Sequence, residues 1–591
     1  MTEKKYADRI FGVQHLPQER QKKAAWAAQG IKHRSMREIK SDLSGYQLQL
    51  KVTTQFDIPV NEVCCWVKTE NDLFPVCADL INVEWSELNW QYVQHWTVTL
   101  SIAENIKTVN YWLAAKDPQQ KQWIFADNQA SSRMEATCFA LVLPEPVVPD
   151  WAKQAIIYQV FVDRFSPGKN KVWKQTSDVF GLCGGTLNGV LDHLDYIQGL
   201  GCNTIWLSPI FVSDSHHGYN AKDLFKIEPR FGTLSDFQNL VNSMHQRGMY
   251  LLLDFVANHW SDQHPSFLEA QSCKKSEFYD WYKWNCWPSD YECYFGVPDL
   301  PELNLQHGPA RQHVLQAAAY WLQQGADGFR LDHAAGPPLD FWADFYQVCY
   351  ETKPECWLFG EYPASATDQF ALTQVLHPPL DFLLNRAIRE TFGLETWSMG
   401  QFVSFLSDHL HYFSNHYGPV FLDNHDMNRF LFVCGNRVER LKQAAFLLFT
   451  LPHPPILYYG TEIGMSQPAP VHARPQDFGT FEMARFPMVW DQTTHDLQLF
   501  FKQLFSLRDR WKMLWGGNRQ FEIVDSEHGF LLQKISKGAD TVWLAVNRAD
   551  TTQIITNKQF PSHHIPNEYW GDAVLTDDGW LLHPGGIAFW F

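Results

Sequence analysis

The chain has 591 residues, a formal net charge of −17 and an aromatic content of 15%. Such a length exceeds one hydrophobic core and implies roughly two to four domains. The acid excess leaves no basic stripe, which excludes a phosphate-backbone partner, and no run of about 18 apolar residues exists to span a membrane. Its 25 Trp, 21 Tyr and 42 Phe suit either large cores or stacking on sugar faces, and composition leaves both open. The first residues, MTEKKYADRIFGVQHLPQERQKKAAW, lack the apolar run of a secretory signal. The twelve cysteines are scattered without a CxxC, so reduced thiols and a cytoplasmic location are expected.

Along the chain, residues 1–30 read as an N-terminal segment with a short polar-faced helix. Residues 31–147 carry short alternating runs (YQLQLKVTTQF, EVCCWVKT, HWTVTLSI, VNYWLAA) between turn residues, which predicts a β-sandwich. Most of its tryptophans (Trp66, Trp85, Trp90, Trp96, Trp112, Trp123) are expected in the core rather than on a sugar-binding surface. A Pro-rich hinge, LPEPVVPDW (143–151), follows.

Residues 148–512 alternate apolar runs with helix-like stretches, as in a (β/α)₈ barrel. Eight strand candidates include a weak sixth at 378–384 (PPLDFLL), and residues 260–308 form an insertion after the third. Residues 513–591 return to strands, a smaller C-terminal β domain expected as a sandwich. The predicted fold class is therefore α/β, a barrel flanked by two β domains.

Four segments place ionisable side chains directly after buried strand-like runs: LLLDFVANH (251–259), DGFRLDH (327–333), CWLFGEY (356–362) and VFLDNHD (420–426). An apolar surround penalises a charged carboxylate, so three such positions (Asp332, Glu361, Asp426) point to chemistry. In a barrel the C-terminal strand ends line one cavity, and these acids fall on the inferred fourth, fifth and seventh strands. Neighbouring strand ends can hold two carboxyls about 5–5.5 Å apart, the spacing of retaining glycosidases, where one attacks the anomeric carbon and the other protonates the leaving oxygen. Arg330, two residues before Asp332 on the same strand face, is expected to keep that acid ionised. His259 and His425 can donate hydrogen bonds to sugar hydroxyls.

These segments, with IIYQVFVDRF (156–165), GCNTIWLSPIF (201–211), HGYNAKDLFKIEPRFGT (217–233), LPELN (300–304) and ILYYGTEIGM (456–465), resemble the α-amylase family of glycoside hydrolases (family 13). The likeness is greatest to its neopullulanase, cyclomaltodextrinase and maltogenic amylase branch. It implies Asp332 as nucleophile, Glu361 as general acid/base and Asp426 as a third carboxylate holding sugar hydroxyls. It also implies Arg330, His259, His425, Tyr219 and His217 around the reacting sugar, Arg485 as a further substrate contact, and Asn258 and Asp254 as braces. The substrate implied is an α-glucan oligosaccharide, a maltodextrin or cyclodextrin cut at α-1,4 bonds, with α-1,6 cleavage or transfer open. A transglycosylase, an oligo-1,6-glucosidase and an inactive glucan-binding homologue are the alternatives. Relatives in this branch dimerise through the N-terminal domain, so a homodimer is expected.

The pattern departs in three places. Ala335 and Gly336 stand where relatives carry Asn-Glu or Lys-His, on the leaving-group side. Phe481, beside Glu482, stands where relatives have Asp. The loop 166–178, which binds calcium in many relatives, has three lysines and few carboxylates, so no metal or other cofactor is expected.

Overall fold

The computed structural model describes residues 30–591 apart from 34–36, 43–44, 57, 70–72, 87–90, 118, 120, 127, 415, 472–479, 491–495, 528, 557–568 and 578. The N-terminal helix expected within 1–30 falls on residues 1–29, outside the described residues.

Seven parallel strands form the central sheet: β1 (Ile157–Val160), β2 (Thr204–Leu207), β3 (Tyr250–Val256), β4 (Gly328–Asp332), β5 (Trp357–Gly360), β6 (Val420–Phe421) and β7 (Pro455–Tyr458). They pair in the order β5-β4-β3-β2-β1-β7-β6. Every residue of β1, β2, β4 and β5 is buried, because barrel strands are covered on both faces. That double burial is why they read as unbroken apolar runs. Helices such as Leu234–Gln246 form the outer layer, this one opened by a Thr233/Asp236 capping box.

The expected sixth strand is not one. Within 378–384 the chain is irregular and then enters a helix, Phe382–Ile388. Pro378 and Pro379 have no N–H to give a ladder. The segment still bridges the gap between β5 and β6: Leu380 N–H donates to Gly360 O at 2.9 Å and Asp381 N–H to Pro419 O at 2.9 Å. Leu380 and Phe382 point into an interior cluster with Trp206, Leu252, Trp357, Phe359 and Ile456.

Ahead of the barrel, two five-stranded antiparallel sheets enclose a core of Leu48, Leu50, Val98, Leu113 and Leu141. The tryptophans there depart from expectation. Trp96 is buried, Trp66, Trp112 and Trp123 are half-buried, Trp85 is exposed, and Trp90 lies outside the described residues. Trp66 and Trp123 meet edge-to-face at 4.8 Å on the sheet surface, and Arg133 covers Trp112. Their amphipathic rings are satisfied by each other and by cations, without a place in the core. After the barrel, a five-stranded and a three-stranded sheet pack on Leu532, Trp580, Leu582 and Trp590. No helix among the described residues is long and apolar enough to cross a membrane.

Candidate active site

Asp332 is the last residue of β4 and Glu361 the first after β5, so adjacent strand ends deliver both carboxyls to one mouth. Asp426 comes from farther out, five residues beyond the end of β6, on a loop whose 424 side chain caps it: Asn424 Oδ1 accepts from Asp426 N–H at 2.8 Å. His259 follows β3 and is tied to the insertion by bridge pairing with Glu302, while Leu303 N–H donates to Asn258 O at 2.9 Å. His217 and Tyr219 sit in the loop of a short hairpin, Phe211–Val212 with Asp223–Ile227. Gly218 between them adopts φ +79, and a Cβ there would meet Pro209 O at 2.6 Å, so glycine is required for this turn.

A fully buried Arg330 organises the centre. Its Nη1 donates to Asp254 Oδ1 at 2.7 Å and to Asp332 Oδ1 at 2.8 Å, and its Nη2 ion-pairs with Glu361 Oε1 at 2.9 Å. Its face lies 5.4 Å from the Trp206 ring and 5.9 Å from the Tyr219 ring, which shields the charge from water. Asp254 also accepts from Trp206 Nε1 at 3.1 Å and Tyr219 OH at 2.8 Å, which makes it a brace rather than a reacting group. A second cation, Arg485, donates from Nη2 to Asp426 Oδ1 at 2.7 Å and from Nε to His425 O at 2.7 Å. The Tyr219 and His425 rings stack nearly parallel, 3° apart at 5.4 Å, and the Tyr219 hydroxyl bonds His425 Nε2.

Five carboxylates, these four and Glu482 on Arg485, thus share two guanidiniums, and the excess negative charge governs protonation. Burial pushes Asp332 well above the usual carboxylate range against the pull of Arg330, with Glu361, Asp254 and Asp426 adding to the rise. Burial likewise lifts Glu361 to about 7, opposed by Arg330 and by the His333 N–H that reaches Glu361 Oε2 at 3.1 Å. The two acids touch one guanidinium, so they hold a proton between them and titrate as a pair. Asp426 behaves oppositely: burial resists its ionisation, yet His425, Arg485 and Arg330 hold it below the usual range. Burial keeps His425 itself low, so its contribution is a hydrogen bond from a neutral ring, and the fixed charges are the arginines. His259 and His217 are also driven low by burial and are neutral.

Asp332, Glu361, Asp426, His259, His217, Tyr219 and Arg485 all line one cavity of about 270 Å³ at the barrel mouth. Arg330, Asp254, His425 and Asn258 stand behind it. The arrangement offers a buried anion, a carboxyl able to hold a proton near neutrality, and aromatic walls. A profile for the α-amylase catalytic domain matches residues 159–512.

The chain belongs to the α-amylase family of glycoside hydrolases.

Among curated relatives, Alpha-amylase 2 of Dictyoglomus thermophilum is 36% identical over 373 residues, covering 62% of this chain and 65% of its own. The Cyclomaltodextrinase of Geobacillus thermopakistaniensis is 31% identical over 428 residues, covering 68% and 70%. The aligned part thus spans about two thirds of these relatives. A solved cyclomaltodextrinase superposes with a TM-score of 0.68 at 22% identity over 95% of this chain and 99% of that one, a likeness of fold.

Against that family pattern, the structure adds residues that sequence reading missed. Tyr294, from the 260–308 insertion, lays its ring 4.5 Å from His259 and 4.8 Å from His333 and forms part of the cavity wall. Gln159 on β1 donates to His425 Nδ1 at 2.7 Å across 266 residues, which leaves the His425 proton on Nε2. His333 adopts φ +42, a left-handed conformation that aims its N–H at Glu361. Where relatives have Asp, Phe481 packs under the Arg485 guanidinium at 5.1 Å, while Glu482 Oε1 accepts from Arg485 Nη1 at 3.0 Å and contacts His216. The neighbouring glutamate thus supplies a carboxylate beside Arg485.

In the loop 166–178 the single acidic residue, Asp178, accepts from Phe180 N–H at 3.0 Å.

Proposed function

We propose that this protein is a retaining hydrolase of α-1,4 bonds in maltodextrins and cyclodextrins. The observation that carries the reading is one buried guanidinium, Arg330, contacting both Asp332 and Glu361 at adjacent strand ends. Two carboxyls on one guanidinium are held close together, as double displacement requires of its pair, which works at about 5–5.5 Å. Substrate binding draws the shared proton onto Glu361 and leaves Asp332 as the anion beside Arg330. Asp332 attacks the anomeric carbon while Glu361 protonates the departing glycosidic oxygen, which gives a glycosyl ester. Glu361, now a base, deprotonates a water that cleaves the ester and returns Asp332, with net retention of configuration. Asp426, held ionised by Arg485, accepts from hydroxyls of the distorted sugar. Tyr219 provides the stacking face, neutral His259 donates to a sugar hydroxyl as positive charge develops on the ring, and His425, behind the wall, holds the Tyr219 hydroxyl and Asp426 in place. No metal or other cofactor is needed for these steps.

Beside the mouth, a groove of about 540 Å³ runs between Ala334–Leu339 and Tyr362 of the barrel and Ala136–Phe139 of the N-terminal domain. A side chain at 336 would strike Asn258 Oδ1 at 2.0 Å, so the floor of this groove is kept small. That supports acceptance of branched leaving groups, with α-1,6 cleavage as a second activity. A homodimer through the N-terminal domain is supported by exposed apolar residues on the edge strands of its two sheets, Leu73 and Phe74 on one and Leu80, Ile81, Val83 and Trp85 on the other. A cytoplasmic setting is supported by free thiols, seven of the twelve buried.

Chromatography of products from β-cyclodextrin, maltoheptaose and pullulan tests the activity. Short maltooligosaccharides of α configuration from the first two are expected. Turnover of none of the three would refute the reading, and rejection of pullulan and panose alone would refute the branched-substrate part. Gel filtration with light scattering is expected to give twice the 68.6 kDa chain mass.

A further inference from the structure

On the outer side of the barrel, where β6 and β7 begin, three side chains converge away from the mouth. Asp381 belongs to the segment that bridges β5 and β6, His409 to the helix Met399–Tyr412, and His453 to the turn before β7. All three are buried, with His453 at 1% exposure. Among the described residues, this is the one trio of His, Cys, Asp or Glu whose ligand atoms all lie within 4.8 Å of one another.

The partners of each atom show what is committed. Asp381 Oδ1 accepts from Leu384 N–H at 2.9 Å and caps the helix Phe382–Ile388. Asp381 Oδ2 is bonded to His409 Nε2 at 2.7 Å and faces His453 Nε2 at 3.7 Å, too far for a hydrogen bond. Neither ring nitrogen of His453 has a hydrogen-bond partner. A buried, unpartnered imidazole is costly, and in native proteins such a group calls for a ligand or an ordered water. A neutral imidazole keeps one nitrogen lone pair to give. The other neighbours of His453 are the Tyr417 ring at 5.0 Å and two arginines, neither of which competes for that lone pair. Arg508 is spent on the carbonyls of Phe449, Leu451 and His453, and Arg519 on that of Thr450.

We propose that Asp381, His409 and His453 bind one divalent ion of the zinc class, through two imidazole nitrogens and one carboxylate oxygen. Two nitrogens with one oxygen is a donor set for borderline metals, while calcium and magnesium want oxygen throughout. Zinc bonds of about 2.0–2.2 Å in a tetrahedron set ligand atoms roughly 3.3–3.5 Å apart. The 2.7 and 3.7 Å separations bracket that span, so small side-chain rotations suffice. The role is structural: the ion ties the bridging segment to the helix layer and to the turn before β7, where the eighth strand is missing.

The test uses the full chain, stripped with a chelator and dialysed. Zn²⁺ titration is expected to show one tight equivalent and a raised melting temperature, both lost in His453→Leu. Co²⁺ separates this site from the free thiols, because thiolate ligation gives an intense near-ultraviolet band and nitrogen–oxygen ligation does not. Retained glucan hydrolysis shows that His453→Leu folds, and His409→Asn gives a second variant that keeps a donor for Asp381. Absence of a stoichiometric equivalent in the wild type overturns the proposal, as does uptake undiminished in both variants or a cobalt spectrum dominated by thiolate.

Discussion

The barrel mouth and the Asp381 cluster are both buried sets of acids and bases, yet they are built on opposite terms. At the mouth, five carboxylates crowd two guanidiniums, and the charge in excess is relieved by a proton. At Asp381 a single carboxylate meets two imidazoles, and one of these has no partner at all. The difference teaches where reactivity comes from. Competition among like charges makes a proton movable near neutral pH, whereas an orphan base beside a satisfied acid makes a place for a ligand.

Asp332→Asn gives the largest effect expected. Hydrolysis falls by roughly 10³–10⁶-fold, as when a catalytic nucleophile is removed. The melting temperature does not fall, because the change removes one of the crowded negative charges. Substantial residual turnover would break the role given to this acid. Arg330→Met follows: it leaves Asp254, Asp332 and Glu361 without their shared cation, at a cost of about 3–5 kcal/mol in urea denaturation near neutral pH. That cost shrinks as pH falls, because the abandoned carboxylates take up protons. An equal loss at pH 4 and pH 8 would mean that packing on Trp206 and Tyr219 is the larger contribution.

The proton itself is read from pH. In the proposed roles, kcat/KM falls at low pH as Asp332, raised by burial, takes up its own proton, and above about 7 it declines by about tenfold per unit as Glu361 loses the proton it must donate. Glu361→Gln removes that limb and keeps activity best on substrates with good leaving groups. The same variant melts higher than the wild type at pH 8 and equally at pH 4. A carboxyl raised from 4.5 to about 7 in the folded state costs stability progressively as pH climbs through that window. The smallest effect is expected for Glu482→Gln, which loosens Arg485 behind Asp426. A rise in KM of about threefold to tenfold with kcat nearly unchanged is expected, on the scale of one charged hydrogen bond. A fall in kcat of equal size would place Glu482 in the transition state.

Much of the mouth was legible along the chain because barrel geometry is local. A buried strand writes an unbroken apolar run, and the residue after it must face the mouth, so Asp332 and Glu361 announce themselves as charges in costly places. Asp426 was found by its motif, although it stands five residues past a two-residue strand. Tyr294 and Glu482 carried no such signal. One lies in an insertion without periodicity, and the other was hidden beside Phe481, the residue occupying the expected acid's position. The tryptophans of the N-terminal sheets misled for a related reason: strand alternation shows which residues share a face, and pairing with cations or other rings decides whether that face needs covering.

By itself, then, the sequence determined the α/β alternation, the flanking β domains and the acids at the strand ends, since each depends on periodicity or on position relative to a neighbouring run. Only the tertiary structure decided how those acids share Arg330, that Gln159 fixes the His425 proton from 266 residues away, and that the eighth strand is replaced by a proline-bearing bridge. It alone also brought His409 and His453 to Asp381. Such pairings depend on contacts between elements far apart in the chain, and no local pattern of residues encodes which distant side chain completes a charge or leaves it bare.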